Sequence, residues 1–156
     1  MQQFLTQNSE LILRLSVAVV LGMIIGAERI FVHKEAGMKT HALVAMGSAV
    51  FVLVSESMAI KYMNYPGFNP TMMASQIIVG IGFLGAGSIM LQGFHTRGLT
   101  TASGLWVTAG IGMASGFGLY SLAIVSTLLI LIVFLSMNII EKPIRKISGE
   151  IDNGIK

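Results

Sequence analysis

The nine residues VGIGFLGAG, Val79 to Gly87, decide how this chain is read. Gly80, Gly82 and Gly85 spell G-x-G-x-x-G, the pattern with which a strand–turn–helix unit cradles a dinucleotide pyrophosphate. Their surroundings point elsewhere. The glycines lie inside an apolar run, Met72–Leu91, with no strand before them. No acidic residue follows at the distance needed to take a ribose hydroxyl. No dinucleotide and no other cofactor is expected, so the glycines need another explanation.

Composition supplies the setting. Of 156 residues, 54% are hydrophobic and 11% charged, where a soluble domain carries about 25% charged residues. Such a chain cannot cover its surface with polar groups, and the membrane class follows. With no cysteine there is no disulfide or thiolate chemistry. The net charge of +3 is modest, and no nucleic-acid partner is expected. The first ten residues hold no Lys or Arg. The first apolar run is therefore expected to remain as a span and not to be cleaved.

Four runs are clear spanning candidates: Leu11–Ala27, His41–Ile60, Met72–Leu91 and Leu119–Ile140. A fifth, Thr101–Gly116, is rich in Gly, Ser and Thr and weaker by hydropathy. Because Ala102–Ile140 carries no charge, it reads as two crossings joined by a turn at Gly116–Gly118; a re-entrant segment is the alternative. A barrel would need alternating strands, so the fold is expected to be an all-α integral membrane protein, a five-helix transmembrane bundle. Residues 1–140 form the transmembrane domain and 141–156 a short basic tail. Arg29, Lys34, Lys39, Arg97, Lys142, Arg145, Lys146 and Lys156 all fall on one side, and Lys61 alone in the loops of the other. The positive-inside rule then places the N terminus outside and the C terminus in the cytoplasm.

Inside a bilayer, small residues let helix backbones approach closely. At about 100° per residue, Gln76, Gly80 and Gly87 share one face, and Gly82, Gly85 and Ala86 lie roughly opposite. A helix smooth on two sides is expected to be central, packed against two neighbours. Ala18, Gly22 and Gly26 repeat every fourth residue in the first span, as do Gly104, Thr108, Gly112 and Gly116 in the fourth. The alternative for Gly80–Gly87 is the broken helix of a transporter, whose freed backbone meets substrate.

Ionisable groups at membrane depth are costly and mark candidate sites. Arg14, Glu56 and Gln76 share a depth near the outer ends of their spans. Arg14 and Glu56 are expected to pair with Gln76 nearby; helix register alone is the simpler purpose. On the cytoplasmic side Glu28, Arg29, Lys39, His41, Arg97, Thr100 and Thr101 are expected to form a polar cluster fit for an anion, a lipid headgroup or a partner protein. Helix caps and charge anchors are the simpler reading there. Pro143 stands near the expected end of the last helix. Metal ligation stays open: carboxylates and histidines are dispersed, with no zinc spacing. No G-x-S-x-G elbow or phosphate loop supports catalysis.

LGMIIGAER (Leu21–Arg29), AGMKTHALVAMGSAVFVL (Ala36–Leu53), SQIIVGIGFLGAGSIM (Ser75–Met90) and TRGLTTASGLWVTAGIGMASG (Thr96–Gly116) resemble the MgtC/SapB family of bacterial inner-membrane proteins. The resemblance runs over about residues 10–140. It implies a multi-pass protein of five spans with a cytoplasmic C terminus, here a short form without the soluble C-terminal domain of many members. Its motif positions are Glu28, Arg29, Lys39, Arg97, Gly98, Thr100 and Thr101. It further implies a non-enzymatic role in magnesium limitation, stress or virulence, exerted on another membrane complex such as the F-type ATP synthase. A transporter or channel for Mg²⁺ or another ion is the alternative. The small-residue faces also suggest a homo-oligomer.

Overall fold

The computed structural model describes residues 8–62, 71–93 and 95–154, with side chains described to residue 140 save Thr71 and Asn138. Five helices account for most of it: α1 (Ser9–Phe31), α2 (Met38–Tyr62), α3 (Thr71–Gly87), α4 (Leu99–Gly116) and α5 (Tyr120–Gly154). Between α3 and α4 lies a short antiparallel hairpin, β1 (Met90–Gln92) and β2 (His95–Arg97), in the register Met90 to Arg97. The third apolar run is thus not helical to Leu91. It ends at Gly87, and Ser88 and Ile89 turn the chain back onto Ala86, Gly85 and Leu84 carbonyls.

Among the described residues, three helical stretches are long and apolar enough to cross a membrane: Ser9–Phe31, Met38–Tyr62 and Tyr120–Met137. At 1.5 Å per residue, α3 and α4 rise about 25 and 27 Å. Large apolar side chains stand exposed along every helix, among them Ile24, Leu43, Phe83, Trp106 and Leu129. That outer surface suits hydrocarbon, not water.

The centre is α4, an 18-residue helix that is not among those three stretches. It packs against each of the other four helices, and ten of its residues are buried, from Thr101 to Gly116. Its small side chains explain the position. Gly112 lies on the backbone of Ala45, and Gly116 on Ala49 and Val52. In the same way Gly22 of α1 lies on His41 and Ala42, and Gly26 on Gly37 and Met38. The hydroxyls of Thr108 and Ser115 donate to the Gly104 and Ile111 carbonyls one turn back, 2.8 and 2.9 Å away. Polar side chains are thereby satisfied within their own helix, the requirement where water is excluded.

The expected central place of the third span is corrected. Only one stripe of α3 (Ala74, Ile81 and Gly85) is buried, and Gly85 meets Ala102 of α4. A methyl group on Gly80, Gly82 or Gly87 would meet nothing within 4 Å. The physical reason is that α4, carrying its own small-residue face, already packs against the directly touching pair α1 and α2. The helix is nevertheless continuous through Gly80–Gly87, with no break. At the other end of the chain, α5 does not stop near Pro143 but runs to Gly154. The side chains of the expected basic tail lie outside those described.

Candidate functional site

Two polar groups sit at opposite ends of the bundle. At the first, Arg14 of α1 reaches across to α2 and α4. Its Nη1 donates to Glu56 at 2.6 Å and to the Gly116 carbonyl at 2.9 Å. Its Nε donates to Glu10 at 3.1 Å, and Nη2 also pairs with Glu10. One guanidinium fork thus ties three helices and satisfies a carbonyl at the C-terminal end of α4. Gly118 turns the chain with φ +73° beside this guanidinium. Gln76 does not join the group. Arg14's bonds go to Glu10, Glu56 and Gly116, while Gln76 lines a groove between α2 and α3. The cause is again the peripheral seat of α3, which leans on α4 and not on α1.

At the second end, adjacent Glu28 and Arg29 close α1 and pair with each other in a buried position. Arg29 is 1% exposed, and its guanidinium carbon lies 3.4 Å from the centroid of the Phe134 ring on α5. A charge so deep is tolerable only when paired and stacked. Phe134 in turn covers Gly104, where a methyl group would stand 3.1 Å from the ring and 3.6 Å from the His41 imidazole. His41, fully buried, places Nδ1 2.8 Å from the Thr108 hydroxyl. The same hydroxyl donates to the Gly104 carbonyl at 2.8 Å. Nε2 has no hydrogen-bond partner.

The expected cytoplasmic cluster therefore divides. Glu28, Arg29, His41 and Thr101 are buried, whereas Lys39, Arg97 and Thr100 are exposed. No described hydrogen bond or ion pair links those three to the buried group. Lys39 and Thr40 face the groove instead. Phe134 and Thr108 are the contributors that sequence reasoning missed. Thr108 was placed on a small-residue stripe, and nothing in the apolar run around Phe134 marks it as the cover of a buried charge. Among the described residues, no three His, Asp or Glu side chains converge to hold a metal.

The groove itself has a volume of about 840 Å³, lies between α2 and α3, and is walled mainly by Leu43, Val44, Phe51, Ile77 and Leu84. A smaller cavity adjoins it, lined by Glu35, Ser88 and Thr101 and sharing Thr40 with it.

Bundle, apolar exterior and buried polar network together define a helical membrane-protein architecture. The MgtC family model matches residues 15–143, and the chain belongs to that family. It is 44% identical over 132 residues to the "Putative magnesium transporter YhiD" of Escherichia coli K12, covering 81% of this chain and 61% of that protein. It is 48% identical over 120 residues to Protein MgtC of Salmonella typhimurium LT2, covering 77% of this chain and 49% of the relative. Protein MgtC of Brucella abortus is 46% identical over 119 residues, 76% of this chain and 48% of its own. The chain thus spans about half to three fifths of the length of these curated relatives. No solved structure matches it.

Proposed function

We propose that this chain is a five-span protein of the bacterial inner membrane, N terminus outside and C terminus cytoplasmic, that acts without catalysis by docking on another membrane complex. Its setting is magnesium limitation or related stress and virulence physiology, and the F-type ATP synthase is the first complex to test. The observation that carries this reading is α3. It is unbroken, held along one stripe by α4, and bare on the side of Gly82 and Ala86. Small residues four apart on a lipid-facing surface suit close approach of a foreign helix. Phe83, 81% exposed beside them, supplies an apolar anchor.

The test is photo-crosslinking in native membranes from residue 83, followed by identification of what is captured. A distinct membrane protein is expected, and its capture falls at least tenfold with Gly82→Leu. Since a Cβ at Gly82 meets nothing within 4 Å, the variant should still fold. Capture of this chain alone would replace the reading with a homo-oligomer.

A second reading, transport of Mg²⁺ or another ion, draws on the name of YhiD. Continuous α3 and the absence of a three-ligand metal cluster among the described residues weigh against it. Purified protein in liposomes is expected to admit Mg²⁺ no faster than empty vesicles. Flux abolished by Glu56→Gln would overturn the docking reading.

A further inference from the structure

The groove between α2 and α3 has a polarity of its own. Of the described residues that line it, Lys39 alone is charged. It stands with Thr40 in the first turn of α2, the positive end of that helix dipole. Lys39 makes no ion pair among the described residues. From that mouth the walls become apolar, with Ser48 and Gln76 the polar residues farther along. Between Leu84 and Met73 the α3 wall rises about 16 Å, close to half of the ~30 Å hydrocarbon thickness. The space stays open because glycines flank it. A methyl group on Gly47 of α2 or Gly80 of α3 would meet nothing within 4 Å. Empty apolar space forfeits dispersion contacts, and the surrounding bilayer holds hydrocarbon at hand to fill it.

We propose that this groove is a binding site for an anionic phospholipid of the leaflet on the Lys39 side. One acyl chain lies against Phe51, Ile77 and Leu84, and the phosphate meets the Lys39 ammonium and the Thr40 hydroxyl. Charge complementarity selects this occupant. A zwitterionic lipid offers the same chain without the net charge, and an apolar helix would leave Lys39 without a counter-charge. Glu35 lines the adjoining cavity, so the headgroup sits toward Lys39 and away from that carboxylate. The site uses the Gly80 side of α3, not the Gly82 side assigned to partner docking, and the two stand or fall separately.

The experiment places a reporter in the groove. Trp106, the sole tryptophan, is changed to Phe, and Phe51→Trp is introduced. The protein is reconstituted in phosphatidylcholine bilayers containing lipid brominated in mid-chain, and quenching is titrated. Brominated phosphatidylglycerol is expected to reach half-maximal quenching at about one fifth the mole fraction of brominated phosphatidylcholine, the effect of one Lys near an anionic headgroup. Lys39→Gln should erase that difference. Gly80→Leu should reduce quenching by both lipids to that of a control tryptophan at lipid-facing Leu128. Gly47→Leu, from the opposite wall, gives the same readout if Gly80→Leu does not insert. Equal midpoints for the two lipids in the parent protein would overturn the proposal. So would phosphatidylglycerol quenching unchanged by the filled groove. Absence of quenching by either lipid would put protein, not lipid, between the helices.

Discussion

Gly112→Ala is the sharpest test of how the bundle is held. The added methyl group would lie 2.7 Å from Cα of Ala45 and nearer still to its carbonyl oxygen. Carbon atoms in contact rest about 3.5–4.0 Å apart. Helices α2 and α4 must therefore part by about 1 Å at this crossing. Both opposing atoms are backbone, so no rotamer change relieves them. The shift also loosens the neighbouring contacts of Gly116 with Ala49 and Val52. Overpacking of this kind costs about 1–3 kcal/mol. Gly80→Ala is the internal control, because its methyl group meets nothing. The gain in helix propensity, up to about 1 kcal/mol, is common to both variants, so their difference isolates the steric cost. The assay is reversible unfolding by SDS in mixed micelles, followed by circular dichroism. Gly112→Ala should be less stable than Gly80→Ala by about 1–3 kcal/mol. Equal stability would refute the close α2–α4 crossing. Rescue of Gly112→Ala by Ala45→Gly would refute the backbone nature of the contact.

Three further outcomes follow from the polar groups. Glu28→Gln leaves Arg29 buried without its counter-charge and should destabilise by about 3–5 kcal/mol. Arg29→Met in the same chain should recover most of that loss in the SDS assay. Arg14→Leu and Glu56→Leu, combined in a double-mutant cycle, should show favourable coupling, since Arg14 Nη1 donates to Glu56 at 2.6 Å. Purely additive losses would refute the pair. Thr108→Val leaves the buried His41 Nδ1 without its hydroxyl partner and should cost about 1–3 kcal/mol. Thr108→Ser should remain near the parent, since the hydroxyl is kept.

The long apolar runs made α1, α2 and α5 legible, because length and hydrophobicity alone suffice for a span. The order of helices in space was not legible, and the glycines show why. Gly80 and Gly112 look alike in sequence, each in a small-residue repeat within an apolar run. One faces open space and the other the backbone of α2. Small residues permit close approach but do not say which helix arrives. Hydropathy misled in the other direction for α4. The Gly, Ser and Thr residues that lowered its score are those that let it occupy the centre. Arg29 at the end of a span reads as an anchor at the interface. Its burial depends on Phe134, more than a hundred residues away, and no local pattern carries that information. The hairpin escapes a reading of hydropathy because Met90 and Leu91 continue the apolar run. Gly93, at φ +61°, was the one local signal of a reversal there.

The polarity of α4 also bears on biogenesis. In the five-span reading, a segment that is half Gly, Ser and Thr is a weaker substrate for membrane insertion by itself, since insertion rewards Leu, Ile, Phe and Val. Its successor α5 is strongly apolar and joined to it by the short turn at Phe117 and Gly118. Insertion of α4 then waits on synthesis of α5, and the two enter the bilayer as a helical hairpin. Only afterwards can α4 settle against the α1–α2 pair, so the centre of the bundle is among the last parts to be put in place.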